Sequence, residues 1–430
     1  MHPKILLIDG VQRPQYYADI QKSFEATWTH SVESDFWDSS QYDYDLALLS
    51  DEFNSHATAV AYQLARHGIP VLHVPDGIIE WRNTWSNPRS LDPEQGMPFL
   101  QPSSAHKIAC FGRAQARLLE SWGNVGKCEI VGASRFEKPG GRHPRQRKED
   151  QPFEILILTA STPGFTPQQI SDVKSSLQDL KNWFDQHSSW KSQPVRAIWR
   201  ITGGLDKDLG VQNTFPSPQS LDDVLNNVDA LITTPSTSML QGMLQGIPVA
   251  LLDYHNSPHY TPAAWSITAP CHMEGVLPEL LEPPPARMLY QDSILHDSLE
   301  CRTPAMARMV ALMESMIRIG RECRERKQPL ELPRRILPVE PDLHHWPAER
   351  FDFTTLYPQH SVFSKTDLIA LQSEVGHLQT ALSRDRDKII KLHHELSQNH
   401  FLHRWIARLV VSPSLRLRTE LHKLVRKSPS

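Results

Sequence analysis

Short aliphatic runs alternate with helix-like patterns along this chain, and this alternation constrains its fold more than any other feature. The first series of runs falls at residues 5–8, 46–49, 71–74, 108–111 and 129–131. A second series falls at residues 155–158, 195–199, 230–233 and 249–252. Such alternation is typical of βαβ units in a parallel sheet. With 430 residues the chain is long enough for two such units. Two parallel-sheet α/β domains are therefore predicted.

Changes in composition set the predicted domain boundaries. Residues 138–151 are dense in charge and lack apolar residues other than proline, which predicts a linker between domains at 1–137 and 152–327. A proline-rich linker is predicted at 328–363, and it separates the globular part from a C-terminal extension at 364–430. Two cores followed by an extension are therefore expected.

Two stretches after the last predicted strand have the spacing of helices. Methionines recur at helical spacing in 305–323, which predicts a helix buried against a core rather than a Met-lined ligand site. From Leu368 onward, apolar residues follow a 3-4 repeat for about four heptads. This repeat predicts a coiled coil at 364–399 and a homo-oligomer. A single amphipathic helix folded onto the globular part is the alternative.

The last segment, 400–430, is basic, with seven Lys or Arg residues and one Glu. Its apolar residues, among them Phe401, Trp405 and Leu409, fall on one helical face. This combination predicts an interfacial helix that is attracted to anionic lipid. The apolar face favours a membrane surface over nucleic acid. Docking of this helix onto the coiled coil is the alternative.

The cysteines and the N-terminus indicate the cellular compartment. The five cysteines are widely spaced and form no C-x-x-C pair, as expected in a reducing compartment without a zinc or redox site. The first apolar run is too short for a signal peptide, and no apolar stretch reaches membrane-spanning length. A cytoplasmic protein is predicted, bound peripherally to the inner face of the cytoplasmic membrane through its tail.

Several familiar motifs are absent from the sequence. The turn after the first run is not G-x-G-x-x-G and no P-loop occurs, which argues against dehydrogenases and P-loop nucleotide hydrolases. Without G-x-S-x-G or H-E-x-x-H, neither a serine hydrolase nor a zinc peptidase is supported.

The segment 229–254 carries the most informative pattern. A strand-like run ends in T-T-P, a helix begins at S-T-S, and G-I-P leads into the next run. A helix start with free N–H groups and nearby hydroxyls favours a diphosphate. Candidate ligands are therefore Thr234, Ser236, Thr237 and Ser238. The plainer alternative is that Ser236 only caps the helix.

This segment resembles the donor site of GT-B glycosyltransferases and UDP-N-acetylglucosamine 2-epimerases. Residues 50–85 and 107–137 are similar to the parts of those proteins that line the inter-domain cleft and close the first domain. The resemblance covers 5–265 at the level of pattern, and it implies two Rossmann-like domains (GT-B-like) facing a cleft. The domain at 1–137 would hold the acceptor and the domain at 152–327 the nucleotide-sugar. The coiled coil and the basic amphipathic tail would follow them.

Gln241 is a departure from this family. Many retaining glycosyltransferases place a Glu in the donor helix, where it binds the ribose of the nucleotide. Gln can hydrogen-bond a hydroxyl, but it lacks the charge-assisted strength of a carboxylate. Weaker donor binding, a different donor and lost activity are all open.

The loop after the run at 71–74 is expected to face the cleft because it follows a strand's carboxyl end. Either Asp76 or Glu80 would act as a general base. His73 and Arg82 would bind the substrate, Arg82 through an anionic group. The plainer alternative is a surface loop in which Asp76 starts a turn and Arg82 pairs with Glu80.

Three further residues are predicted to contact the substrate. Arg200, after the run at 195–199, and Arg135, at the domain junction, would neutralise phosphate, unless each is an ordinary solvated charge. His255 lies beyond the last predicted strand, where Trp265 would hold a base or sugar face. A diphosphate bound by a helix terminus and basic side chains needs no metal, so neither a metal nor a cofactor is expected.

The predicted function is glycosyl transfer from a nucleotide-sugar to a surface-polysaccharide, glycan or lipid-linked acceptor at the inner face of the membrane. Pre-positioning of donor and acceptor, with stabilisation of the leaving diphosphate, would supply the catalysis. Nucleotide-sugar epimerisation and polyol-phosphate transfer are the nearest enzymatic alternatives. A degenerate GT-B-like scaffold that acts through its coiled coil and tail is the non-enzymatic alternative.

Overall fold

The computed structural model describes residues 2–8, 16–30, 42–52, 55–88, 99–137, 151–214, 219–301, 303–338 and 365–398. Two compact units divide the chain, at 1–352 and 353–430. Among the described residues, the first unit contains two six-stranded sheets and the second a single helix. The prediction of two parallel-sheet α/β halves is therefore confirmed.

Six parallel strands form the first sheet, in the order β2-β1-β3-β4-β5-β6. The strands are β1 (Lys4–Leu7), β2 (Thr27–His30), β3 (Leu46–Leu49), β4 (Val71–His73), β5 (Lys107–Cys110) and β6 (Cys128–Ile130). The helices are α1 (Ala18–Ser23), α2 (Ser55–Arg66), α3 (Trp81–Ser86) and α4 (Arg113–Ser121). Because all strands are parallel, their carboxyl ends lie at one edge of the sheet.

The second sheet has the order β12-β11-β10-β7-β9-β8 and is parallel except for the β8–β9 hairpin. Its strands are β7 (Phe153–Leu158), β8 (Ser189–Trp190), β9 (Gln193–Arg200), β10 (Ala230–Thr233), β11 (Val249–Leu252) and β12 (Trp265–Ile267). The helices are α5 (Pro167–Gln186), α6 (Leu205–Leu209), α7 (Leu221–Leu225), α8 (Ser238–Leu244), α9 (Met273–Leu281), α10 (Pro285–Ser298) and α11 (Ala305–Glu325).

Burial explains which strands the sequence predicted. The strands β3 and β11 are buried along their whole length, so their sequences are continuous apolar runs. The edge strand β2 was not predicted because three of its four residues are exposed. The strand β12 follows the one predicted to be last, and its Trp265 is buried with Nε1 donating to Glu279 at 2.7 Å. Trp265 therefore belongs to the core rather than to a ligand surface.

Helix α11 contains the predicted methionine repeat and returns to the first half. Met309, Met313 and Met316 are buried there in one cluster with Ile5 and Leu7 of β1. The helix is thus buried against a core, as predicted. That core belongs to the first sheet, although the sequence pattern placed the helix within the second domain.

The start of the predicted proline-rich linker packs on the first half. The buried Lys107 donates from Nζ to the Pro333 carbonyl and to Glu129, both at 2.7 Å. Glu129 in turn accepts a hydrogen bond from the Leu337 amide at 3.1 Å, and the Leu337 side chain is buried. Residues 328–338 are therefore part of the folded unit, and the rest of the linker at 339–363 lies outside the described residues.

The second unit contributes helix α12 (Lys365–Gln398). Its apolar residues Val375, Leu378, Leu382 and Ile389 are exposed in the single chain. The helix matches the predicted extent of the coiled coil, whereas its pairing with another helix stays a prediction. The basic tail at 400–430 and residues 138–150 of the first linker lie outside the described residues. Within the described part of the chain, no helix has both the length and the apolarity needed to cross a membrane.

We predict that changing Leu378 and Leu382 to Asp converts an oligomer to a monomer in light scattering, because two charges would enter the apolar seam of a coiled coil. Changing Thr380 and Ser383 to Asp adds the same charge on the opposite face of the helix, and this change should leave the molecular mass in light scattering as it is for the unmodified chain. A monomeric unmodified chain would show that α12 does not mediate self-association.

His106 is a partly buried titratable group next to β5. Its Nδ1 accepts a hydrogen bond from the Val71 amide at 3.0 Å, which requires that nitrogen to be unprotonated. Burial, together with the charge of Lys127, lowers the pKa of His106 from 6.5 to about 4. The unfolded chain therefore binds more protons than the folded chain between these two pH values.

We predict that the free energy of unfolding falls as the pH drops through this window, by up to about 1.4 kcal/mol per pH unit from this one group. The variant His106→Asn keeps an acceptor for the Val71 amide but does not titrate, so its pH dependence should be shallower. Denaturant unfolding at a series of pH values measures both slopes. Equal slopes in the two proteins would contradict the prediction.

Candidate functional site

Loops from both sheets enclose a polar cleft of about 730 Å³. The first half lines it with the loops that follow β3 and β4, and the second half with the loops that follow β7 and β10. Loops at the carboxyl ends of parallel strands are the usual place for ligands in α/β proteins. Four of the predicted site residues line this cleft, namely Asp76, Glu80, Ser236 and Thr237.

The predicted donor loop is held in shape by its own hydroxyls. The buried Thr234 accepts a hydrogen bond from the Ala160 amide at 2.8 Å. Ser236 Oγ lies 3.0 Å from Ser238 Oγ and accepts a hydrogen bond from the Ser238 amide at 3.3 Å. Thr234 and Ser238 therefore shape the loop, and Ser236 is placed at the cleft.

Helix α8 begins two residues later than predicted, at Ser238, and has seven residues. Thr237 occupies the N-cap position without a side-chain capping bond. The dipole of so short a helix is small, because each peptide unit adds to it. What this loop offers an anion is therefore its hydroxyls and backbone amides rather than a helix dipole.

The two halves of the molecule touch where Gly77 meets Thr237. Thr237 Oγ1 accepts a hydrogen bond from the Ile78 amide at 3.0 Å, although these residues are 159 positions apart. A Cβ atom on Gly77 would collide with that oxygen, so the approach requires glycine. Thr237 Oγ1 therefore links the two walls of the cleft, so this oxygen is not available to a ligand alone.

A buried ion pair lies beside the cleft. Arg82 is fully buried, pairs through Nε with Glu80, and donates from Nη1 to the Pro163 carbonyl of the second half at 3.2 Å. Burial raises the pKa of Glu80 against the opposing charge of Arg82, and the Asp253 carboxylate adds to the rise. A carboxyl with a raised pKa suits general acid–base chemistry. The Glu80–Arg82 pair of the plainer alternative is therefore present, but Glu80 also lines the cleft.

Asp253 and His259 form a pair that was not predicted to have a role. Asp253 Oδ2 lies 2.9 Å from His259 Nε2. Burial opposes ionisation of Asp253, but the contact with His259 and the charge of Arg82 lower its pKa overall. The signal in the sequence is the position of Asp253 directly after β11, at the carboxyl end of a strand.

Arg135 and Asp76 are brought near each other. The guanidinium carbon of Arg135 lies 5.0 Å from the ring centre of Phe136 and 5.7 Å from that of Tyr16, which lines the cleft. Burial lowers the pKa of Arg135, and the charge of Asp76 opposes that shift. Arg135 is not one of the described lining residues, but its charge interacts with that of Asp76, which is.

His73 is inside the first half rather than on the cleft surface. It is 1% exposed, and its Nδ1 lies 3.1 Å from Glu52 Oε1. Glu52 also accepts hydrogen bonds from the Ser103 hydroxyl and, at 3.0 Å, from the Ser104 amide. Burial opposes ionisation of Glu52, yet His73 and these donors lower its pKa. The pair supports the loops that follow β3 and β4, and sequence spacing gave no signal of it.

Gln241 lies one turn beyond Thr237 on α8, in a separate pocket of about 400 Å³. Its Nε2 donates to Asp222 at 3.2 Å. The same pocket is lined by Glu137 and Thr303. Gln241 is therefore close in sequence to the cleft residue Thr237, but it does not line the cleft.

Arg200 and His255 are also placed outside the lining of the cleft. Arg200 donates to the Gln219 carbonyl at 3.3 Å, and His255 Nδ1 lies 3.0 Å from Asp172 on α5. Within the described residues, no group of three or more His, Cys, Asp or Glu side chains is arranged to hold a metal ion.

We predict that Thr237→Val lowers the free energy of unfolding by about 1–3 kcal/mol, because the Ile78 amide loses its partner. Thr237→Ser keeps the hydroxyl and should lower the free energy of unfolding by less. Denaturant unfolding of the three proteins measures the difference. Equal losses in the two variants would mean that the hydrogen bond between the halves adds no stability.

No protein-family model matches the chain, and no curated protein matches it significantly. Among solved structures, it is similar to a protein assigned as a UDP-N-acetylglucosamine 2-epimerase from Listeria monocytogenes, with 10% identity, 77% of this chain and 99% of that chain covered, and a TM-score of 0.48. The glycotransferase of kitacinnamycin is 12% identical, with 73% of this chain and 99% of that chain covered and a TM-score of 0.42. The wall teichoic acid polymerase TagF is 10% identical, with 75% of this chain and 90% of that chain covered and a TM-score of 0.43.

Proposed function

We propose that the protein transfers a sugar from a nucleotide-sugar to a hydroxyl of a glycan acceptor. The observation that carries this proposal is the cleft of about 730 Å³, in which carboxylates of the first half face hydroxyls of the second. Such a cleft can hold two substrates with their reacting atoms together, which accounts for much of the rate gain in group transfer.

The second half would bind the donor diphosphate. Its side of the cleft is lined by Ser161, Thr162 and Ser236, with the backbone of the loops that carry them. Hydroxyls and backbone amides can hydrogen-bond phosphate oxygens, and such bonds to a charged group are stronger than neutral ones. Gln241 would bind the ribose of the nucleotide. Binding without a metal stays a prediction.

The first half would supply the general base. Glu80 would accept the proton of the acceptor hydroxyl while that oxygen bonds to the anomeric carbon of the donor sugar. The bond to the diphosphate would break, and the electron pair would leave on the diphosphate. Asp76 is the second candidate for this base, since it lines the same wall. Arg82 and Arg135 would act by setting the charge of these carboxylates.

The place of the reaction in the cell stays a prediction. Attachment of the protein to an anionic membrane was predicted from the basic tail at 400–430, and a surface-polysaccharide or lipid-linked acceptor was predicted together with the function. That tail lies outside the described residues. The proposed transfer chemistry rests on the cleft alone.

We predict that one of the UDP-, GDP-, CDP- or TDP-linked sugars raises the melting temperature, because a ligand that binds only the folded state stabilises it. Ser236→Ala should weaken binding of that compound by about tenfold or more, the cost of a lost hydrogen bond to a charged group. Ser175→Ala, on the exposed face of α5, is the matched control and should change nothing.

Calorimetry of the three proteins gives the affinities. Equal affinity in the Ser236 variant and the control would contradict the donor site. If no nucleotide-sugar shifts the melting temperature, the scaffold alternative replaces the enzyme.

A further inference from the structure

Helix α3 carries the proposed base at its beginning. Glu80 is the N-cap residue of this helix, and its carbonyl accepts hydrogen bonds from the Thr84 amide and the Thr84 hydroxyl, both at 3.0 Å. Arg82, in the first turn of α3, pairs with Glu80 through Nε and is fully buried. A displacement of α3 would therefore displace the Glu80 carboxyl and its counter-ion together.

One loop of the second half, at 253–260, contacts this helix. At the end of the loop, the Tyr260 hydroxyl accepts a hydrogen bond from Trp85 Nε1 of α3 at 3.0 Å. The rings of Tyr260 and Trp122, the residue after α4, are edge to face with their centres 5.6 Å apart, an arrangement that aromatic pairs favour. The Trp85 and Trp122 ring centres lie 6.2 Å apart. Tyr260 therefore contacts two tryptophans of the first half.

The start of the same loop acts on the ion pair. Asp253 is buried, its Oδ2 lies 2.9 Å from His259 Nε2, and this oxygen accepts a hydrogen bond from the Ser257 amide at 3.0 Å. Burial opposes ionisation of Asp253, whereas the contact with His259 and the charge of Arg82 lower its pKa. Arg82 therefore interacts electrostatically with two carboxylates, one from each half.

The ionisation of Glu80 responds to these charges with opposite signs. Burial raises the pKa of Glu80, Arg82 lowers it, Asp253 raises it and His259 lowers it. Arg82 belongs to α3 itself, and the other two residues belong to the loop that contacts α3. Charges act over several Å where the protein partly excludes water. The second half therefore affects both the place of α3 and the proton affinity of the carboxyl at its N-terminus.

We infer that Asp253, His259 and Tyr260 are positioning residues for Glu80. This inference rests on the proposed function, in which Glu80 is the general base. Tyr260 holds α3 through Trp85, and Asp253 shares the charge of Arg82 with Glu80. The half that would bind the donor thereby sets the geometry of the base on the other half.

The test follows Glu80 by carbon NMR of the full chain labelled at its glutamate carboxyl groups, and the Glu80 signal is the one lost in Glu80→Gln. Asp253→Asn removes a negative charge, so the midpoint of the Glu80 titration should fall by about 0.5 pH unit or more. His259→Gln should raise it, because a histidine beside a carboxylate is protonated in the acidic range where a carboxyl titrates. His272→Gln, at an exposed histidine that contacts Thr268, is the matched control and should leave the midpoint unchanged.

A third variant tests the aromatic contact. Tyr260→Phe keeps the ring but removes the acceptor of the Trp85 indole N–H. The Trp85 indole signal, identified by its loss in Trp85→Phe, should move upfield, and the Glu80 carboxyl signal should shift with it. Tyr290→Phe, on the exposed face of α10, is the control and should change neither signal.

Midpoints that move in the same direction in Asp253→Asn and His259→Gln, or do not move, would overturn the inference, because loss of packing alone predicts no opposite signs. An unchanged Glu80 signal in Tyr260→Phe would also overturn it. Asp253 is 3% exposed, so if its variant does not fold, His259→Gln decides alone.

These measurements need no substrate, so their failure refutes the positioning role whether or not the proposed function is right. If they succeed and no nucleotide-sugar raises the melting temperature, the donor site is refuted and the link from the loop at 253–260 to Glu80 stands. In a transfer assay, the pH profile should move in the same two directions as the Glu80 midpoint.

Discussion

The hydrogen bond from the Ile78 amide to Thr237 Oγ1 joins the loops that follow β4 and β10, one from each sheet. It forms because Gly77 leaves no Cβ in the way, and it brings loops at the carboxyl ends of both sheets onto one cleft. Helix α11 holds the same arrangement from outside, since it leaves the second half and buries its methionines in the core of the first. The cleft is therefore stabilised by the close approach of the Gly77 backbone to Thr237 and by a large apolar contact.

The second constraint is charge burial beside that cleft. Arg82 is fully buried, and burying an ion pair costs desolvation that its attraction barely repays, so the pair is a weak source of stability. The pair matters because it places Glu80 at the cleft, where burial raises the pKa of the Glu80 carboxyl. Asp253 and His259 extend these charges into the second half, so the two halves share one electrostatic environment.

The sequence predicts the frame of this molecule better than its site. Strands such as Leu46–Leu49 are apolar throughout because both faces are buried, whereas the exposed edge strand Thr27–His30 has no such pattern. The loops at the carboxyl ends of strands line the cleft, whereas their role in binding stays a prediction. The partners inside them were not, because Thr237 meets Ile78 across 159 positions and no local spacing encodes that contact.

Hydrogen–deuterium exchange with and without the stabilising nucleotide-sugar tests most directly whether the two halves form one nucleotide-sugar cleft. Slower exchange is expected in the loops at 76–80, 160–165 and 235–237 together, because a ligand between the walls would order both. Exchange should not change in the segment 328–338, which packs on the first half and is distant from these loops in sequence. Protection confined to one half, or found only outside these three loops, would contradict a shared cleft.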